Sequence, residues 1–367
     1  MKRGTIYIKK YTGIVVGSLL ILVGAFFLLG IWFSRKEDEY TPVYIYIALT
    51  FAFGVLILSG VALIVLAFQK STKLEQIVEN SYMPEIPDSS VVNMLIEELE
   101  KQTRKEAIKI NLDYETKPKL TDSKIGGVPY WDRSRRYPIA SNGVKLELLA
   151  QFNLSQLPEN NAFPKEGMLQ FFILNDDLYG MACPDLRKPP AYRVVYHNTI
   201  DETVTEEEVL SLGITTSLDA GEDHAEFPVV GEFAVHLEKK YVSMNDNDVR
   251  FDALMHRIAV AKGIQLDKNL HFYEMFEEDD ERYDSIHEAT KGHWLMGYPY
   301  FTQDDFRSME TEKWYDTMLF QLDTDDRTEY PNKGVMWGDS GVGAFFINSK
   351  KLADLDFDDV LYNWDCC

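Results

Sequence analysis

Cysteine is scarce: the chain has three in 367 residues, with Cys366 and Cys367 adjacent at one end and Cys183 far from both. That excludes a disulfide framework and any paired CxxC zinc or redox motif. Positive charge is short as well. Lys and Arg number 37 against 59 Asp and Glu, a formal net charge of −22. A body this acidic repels phosphate backbones, which excludes nucleic acid as a partner and leaves neutral or basic ones. Apolar residues (46%) and aromatics (13%) are plentiful, so intrinsic disorder is excluded too.

The charge deficit is uneven. Residues 1–73 hold Lys2, Arg3, Lys9, Lys10, Arg35, Lys36, Lys70 and Lys73 against Glu37, Asp38 and Glu39, so 8 − 3 = +5. The other 294 residues hold 29 bases and 56 acids, so −27. Within the basic part, Tyr11–Phe33 (23 residues) and Val43–Phe68 (26 residues) contain no charge. As a helix the first would be roughly 34 Å long, enough to cross a ~30 Å hydrocarbon core. It exceeds the ~7–15 residue apolar region of a cleaved signal peptide. Pro42 suits a helix start. The expectation for residues 1–73 is therefore a two-helix transmembrane hairpin, with helices at about 11–33 and 43–68 and the short link Ser34–Pro42 between them. Six bases flank its outer ends and two lie in the link, which predicts cytoplasmic termini and a cytoplasmic main domain, where thiols stay reduced. Gly13/Gly17 and Ala48/Ala52 have the spacing that lets helices approach closely. Neither run carries an ionisable side chain, so an anchor is expected rather than an ion path.

Residues 74–119 read as a linker followed by an amphipathic helix. Asp88-Ser89-Ser90 supplies its cap, Val92, Leu95, Ile96 and Leu99 its apolar face, and its predicted end is near Ala107. From 120 to 367, short apolar runs alternate with turn residues. Leu146–Leu154, Met168–Leu174, Tyr192–His197, Val229–Val242, Thr317–Asp323, Val335–Trp337 and Ala344–Ile347 read as strands, and stretches near 205–211, 248–262 and 348–355 as helices. Connections such as Gly338–Gly343 are too short for crossovers, so the expected fold class is α+β with a largely antiparallel sheet.

This domain repeats itself. Gly127-Val128-Pro129-Tyr130-Trp131 resembles Gly297-Tyr298-Pro299-Tyr300-Phe301, and Leu148–Asn153 resembles Met318–Asp323, both offset by 170 residues. Phe171–Ile173 matches Phe345–Ile347, offset by 174. Two similar halves follow, with Gln151 and Gln321 at equivalent strand positions beside a Pro-Tyr turn. Either the two amides meet near a pseudo-two-fold axis and bound a cleft, or each pins the backbone of its own half.

The same segments carry a family resemblance. IGGVPYW (125–131), LLAQFNLSQLP (148–158), GMLQFFI (167–173), DDLYG (176–180), LMGYPYF (295–301), MWGDSGVG (336–343) and DFDDVLYNWDCC (356–367) resemble the YwqG-like bacterial domain family, whose function is unknown. The resemblance implies an intracellular α+β domain and no activity, and the hairpin is an addition to it.

Motifs with chemical potential are weak. Gly338-Asp339-Ser340-Gly341 looks like a serine protease nucleophile loop but lacks the histidine context such a nucleophile needs. It reads as a Gly-rich hairpin, or as an anion-binding nest of N–H groups. His287 and His293 have the wrong spacing for a zincin helix. Asp323–Asp326 lacks the glycine and glutamate of a calcium loop, with Thr328 and Gly334 at those places. Glu277–Glu281 reads as a solvated face. Tyr362 and Trp364 suggest a docked last strand. No metal or cofactor is expected. The favoured reading is a membrane-anchored, non-catalytic binding module, with Tyr130, Trp131, Gln151, Tyr300, Phe301, Gln321, Trp337, Asp339 and Ser340 as candidate ligand-binding residues. An enzyme using Gln151, Gln321, Asp339 and Ser340 is the alternative, and an acidic face that sequesters a basic protein is a third.

Overall fold

The computed structural model describes residues 18–23, 25–26, 47, 49–55, 57–62, 64–66 and 86–366, apart from 182–190, 220–226, 268–269, 277–279, 308, 328 and 331–332. The expected link Ser34–Pro42, most of the first uncharged run, Gly13, Gly17, Ala48, the expected linker as far as residue 85, Glu277, Cys183 and Cys367 lie outside the described residues. Contacts divide the chain into two units, Met1–Glu85 and Ile86–Cys367.

In the first unit, residues 18–23 and 25–26 are helical. The helix Leu49–Leu66, 18 residues with a mean hydropathy of 2.6, is long and apolar enough to cross a membrane by length and composition. Several of its large side chains are exposed, Phe51 by 75% and Leu58 by 69%.

The second unit opens with the helix Ser89–Thr103. Asp88 caps it by accepting from the Ser90 N–H at 2.8 Å, and Val92, Leu95 and Leu99 are buried. The expectation that this helix reaches Ala107 is corrected. It stops at Thr103, and Lys105–Asp113 form a strand, β1. Ile108, Ile110 and Leu112 recur every second residue and put one strand face into the core.

The other strands are β2 (Lys124–Gly126), β3 (Glu147–Asn153), β4 (Met168–Ile173), β5 (Tyr192–His197), β6 (Val229–Val230), β7 (Glu232–Val242), β8 (His293–Leu295), β9 (Thr317–Asp323), β10 (Gly334–Val335), β11 (Val342–Ile347) and β12 (Val360–Asp365). Ten of them form one antiparallel sheet in the order β12-β11-β9-β8-β1-β7-β2-β3-β4-β5. It curls into a nearly closed barrel around phenylalanines of both halves. The ring of Phe320 lies 5.3 Å from Phe152 and 4.6 Å from Phe171, and Phe345 lies 5.0 Å from Phe171. The two sheet edges meet where the Tyr192 hydroxyl donates to the Val360 carbonyl at 2.8 Å. β12 is the docked last strand. The expected hairpin joining Val335–Trp337 to Ala344–Ile347 is corrected: β10 pairs with β6, and β11 pairs with β9 and β12.

The two halves share their pairing in detail. Ile125 pairs with Ala150, and Leu295 with Phe320. β3 and β9 carry the same bulge, at Leu149 and Leu319, against β4 and β11. The turns after β2 and β8 are left-handed at equivalent places, Gly126 (φ +67°) and Gly127 (+76°) against Met296 (+62°) and Gly297 (+92°). The first strand of each half is exchanged. β1 precedes β2 in sequence but pairs with β8, while β7 precedes β8 but pairs with β2. Phe233 opposite Ile125 is thus equivalent to Ile108 opposite Leu295. Three residues further on, Asn111 and His236 are equivalent and pair with each other, which places the pseudo-two-fold axis there.

Candidate functional site

The two glutamines do the same work in each half. Gln151 Oε1 accepts from the Tyr130 N–H at 2.9 Å, and its Nε2 donates to the carbonyls of Leu120 and Asp122, each at 2.8 Å. Gln321 Oε1 accepts from the Tyr300 N–H at 2.8 Å, and its Nε2 donates to Thr290 (2.9 Å) and Gly292 (2.8 Å). Every partner is offset by 170 residues. Both side chains are fully buried. The glutamines do not meet: β8, β1, β7 and β2 separate β9 from β3, and each amide ties the two loops of its own half together. The expectation of a cleft between them is corrected.

The aromatic candidates are likewise interior. Tyr130, Trp131, Tyr300, Phe301 and Trp337 are all 8% exposed or less, so none offers a surface to a partner. Trp337 fills the space beside Gly343, where a Cβ would sit 2.5 Å from its ring. Asp339 and Ser340 are exposed on the turn that follows. That turn is closed by the Gly341 N–H donating to the Trp337 carbonyl at 2.7 Å, and the Gly338 N–H donates to the Tyr179 hydroxyl at 3.3 Å. Two of the N–H groups an anion nest would need are therefore taken, and no histidine among the described residues bonds Ser340.

The histidines serve separate structures. His293 Nδ1 accepts from the Asp323 N–H at 3.0 Å, and its Nε2 lies 3.5 Å from Asp325. Asp323 and Asp325 are engaged by the Gly292 N–H and by Arg327, respectively, so the acidic turn is paired internally. Among the described residues no group of three His, Cys, Asp or Glu is placed to hold a metal ion. His287 Nδ1 lies 2.9 Å from Asp246 Oδ1, and the carboxylate raises the imidazole above its ordinary value. Both line a polar pocket of about 300 Å³ with Asp252, His271, Tyr273 and Asp304. His197, in the other half, is boxed by Tyr130 and Trp131. Its Nε2 meets Gln170 Oε1 at 2.9 Å, and burial, with Arg135 beside it, pushes it down to about 4.

The halves differ at the ends of β2 and β8. In the first half this place is filled. Ser217 accepts the Gly231 N–H with its carbonyl at 2.9 Å. Its hydroxyl accepts from the Gly127 N–H at 2.7 Å and donates to the Gly231 carbonyl. Beside it Lys124 and Glu232 form a buried ion pair at 2.7 Å. The counterparts in the second half are Gly297 for Gly127, Glu106 for Gly231, Trp294 for Lys124 and Ala107 for Glu232. Among the described residues nothing takes the place of Ser217 there. Instead a cavity of about 380 Å³ opens, bordered by Glu106, Ile108, Phe163, Met296, Thr317 and Leu352.

The strand geometry explains the opening. Met296 donates its N–H toward β9, to the Leu319 carbonyl at 3.3 Å, so its neighbour Leu295 faces β1 and bonds Ile108. Backbone groups alternate along a strand. Glu106, two residues before Ile108, therefore turns its N–H and C=O to the same side, where β8 has ended. The cavity is a slot one strand wide between β1 and β9. Lys105 lies at its border, with its amine 3.6 Å over the Tyr298 ring. Burial pushes that amine down to about 7. The Glu106 carboxylate is held by Lys239 at 2.7 Å. None of these slot residues was a candidate from sequence. The one signal was Met296, the non-glycine opposite Gly126 in the repeat.

The family model described as domain of unknown function DUF1963 matches residues 123–366. The chain belongs to this family. Among curated proteins none matches it. The DUF1963 match begins at Ser123, just before β2, and takes in both glutamines, the whole Gln321 network and Met296, while Leu120 and Asp122 of the Gln151 network lie just upstream of it. β1, which supplies the other wall of the slot, lies upstream of it.

Proposed function

We propose that the protein is a non-catalytic binding module, YwqG-like in type and tethered at the cytoplasmic face of the cell membrane by a two-helix hairpin, with its ligand site in the slot beside β1. The tether is supported by the two uncharged runs and by the exposed apolar side chains of Leu49–Leu66, which a hydrocarbon core would cover. The binding site rests on one observation: the place that Ser217 closes in the first half is open in the second, with an apolar floor and a strand edge on its wall. A cavity of this size and lining suits a ligand. The acidity of the body favours neutral or basic partners.

Thermal-shift screening of the full chain in detergent, against mixed small-molecule and peptide sets, tests the reading. Ala353, exposed at the rim, is the control position. A compound that stabilises the natural chain but not Ala353→Trp supports the slot. Stabilisation that ignores the substitution contradicts it. A second reading, an enzyme, is favoured by the Asp246–His287 pair alone, since a carboxylate-oriented imidazole is a general base. Turnover of any compound that is lost in His287→Ala and kept in Ala353→Trp would favour that reading over the module.

A further inference from the structure

The protein's own first half shows what kind of group completes the place that the second half leaves open. There the occupant is polypeptide, the segment around Ser217, whose carbonyl and hydroxyl engage the N–H and C=O of Gly231. Thr216 and Ser217 are buried in it. In the second half the corresponding N–H and C=O, those of Glu106, border the cavity where the β1–β8 ladder stops at Ile108. In the first half the segment is a turn, with the Asp219 N–H donating to the Thr216 carbonyl at 3.0 Å, and it completes the edge with one carbonyl and one hydroxyl. The floor of the cavity is apolar: Ile108, Phe163 and Leu352.

We infer that the slot binds a short segment of another protein, carrying a serine or threonine next to an apolar residue and turned at that place as Thr216–Asp219 is in the first half. The segment's carbonyl accepts from the Glu106 N–H, its hydroxyl donates to the Glu106 carbonyl, and its apolar side chain enters the floor. One difference from the first half sets its position. A Cβ at Gly126 would lie 2.5 Å from Ser217 Oγ, and Met296 has a Cβ at that place. The bound segment therefore rests against the Met296 side chain, displaced from the position of Ser217. This inference rests on the slot being the binding site.

The probe is a fluorescently labelled synthetic peptide copying Gly213–Asp219 (GITTSLD), titrated with the full chain in detergent and read by anisotropy. The natural chain is expected to bind it saturably and a scrambled peptide not at all. Ala353→Trp, on the exposed rim, should weaken binding at least tenfold. Met296→Gly, which restores the first-half turn at a left-handed φ that glycine accepts freely, should tighten it several-fold. Absence of saturable binding by the natural chain, binding unchanged by Ala353→Trp, or weakening by Met296→Gly overturns the inference. So does a concentration-dependent dimer abolished by Ala353→Trp, because the slot would then take a second copy. A small molecule whose stabilisation depends on Ala353 while peptides fail removes the peptide and leaves the binding site standing.

Discussion

The two halves of the sheet have one backbone plan and two endings. In the first half, Ser217 and the buried Lys124–Glu232 pair close the space after β2. In the second, Trp294 and Ala107 replace the ion pair and the space after β8 stays open. What was kept and what changed follow different physics. Gln151 and Gln321 each satisfy one buried N–H and two carbonyls, so losing either leaves several polar groups without partners. The slot carries no such penalty, because the Glu106 edge borders an open cavity and can be met by water or a ligand. The core phenylalanines couple the halves, since Phe320 packs on both Phe152 and Phe171.

The largest predicted effect tests that coupling. Phe320→Ala should cost toward the upper end of ~3–5 kcal/mol and still give a single urea transition for residues 86–366. Two transitions would mean that the halves fold separately. Next comes the ion pair. Lys124→Met leaves Glu232 buried without its partner and should cost roughly 3–5 kcal/mol. Adding Glu232→Ala, the residue type at the matching place, should recover most of the loss in a double-mutant cycle. A double mutant as unstable as the single would break the equivalence of the two positions.

The glutamines should show matched losses. Gln151→Ala and Gln321→Ala are each expected to cost roughly 2–3 kcal/mol, with Gln151 slightly the larger because Gln170 also donates to it at 3.2 Å. A neutral result at either position would end the account of shared function. The smallest effect concerns pH, and here the halves differ in sign. His197 stays neutral in the fold, pushed down to about 4. Below pH 6.5 the unfolded chain gains a proton that the folded chain refuses, so its contribution is complete above 6.5 and lost as pH falls toward 4. His287 is raised by Asp246, so its contribution is present at low pH and lost as pH rises through its raised value. His197→Gln should remove a destabilisation on the order of 2 kcal/mol between pH 6.5 and 4.5, measured by urea unfolding at each pH. An unchanged acid limb would show that His197 is not the group responsible.

Much of this plan is legible in the sequence. β3, β4, β5 and β9 stand out as apolar runs bounded by turn residues, and the offset of 170 pairs the two glutamines. β1 is hidden because Lys105 and Glu106 continue the polar face of the preceding helix. Its period of two becomes visible only at Ile108, Ile110 and Leu112. Strand exchange hides the slot. Nothing local in Lys105–Ile108 says that it lies beside Met296, almost two hundred residues away, and a repeat alignment of β2 with β8 does not reveal which strand flanks each. The aromatics Tyr130, Trp131, Tyr300, Phe301 and Trp337 misled for the reverse reason, since residues able to recognise partners are equally good core fillers.

The most direct measurement compares two amides. In the unliganded full chain, hydrogen exchange by NMR should find the Gly231 N–H protected by Ser217. The Glu106 N–H should exchange much faster than the amides of Lys105 and Ala107, which face β7. Glu106 protected to the same degree as those neighbours would mean that its edge is already bonded, and the open slot would not exist.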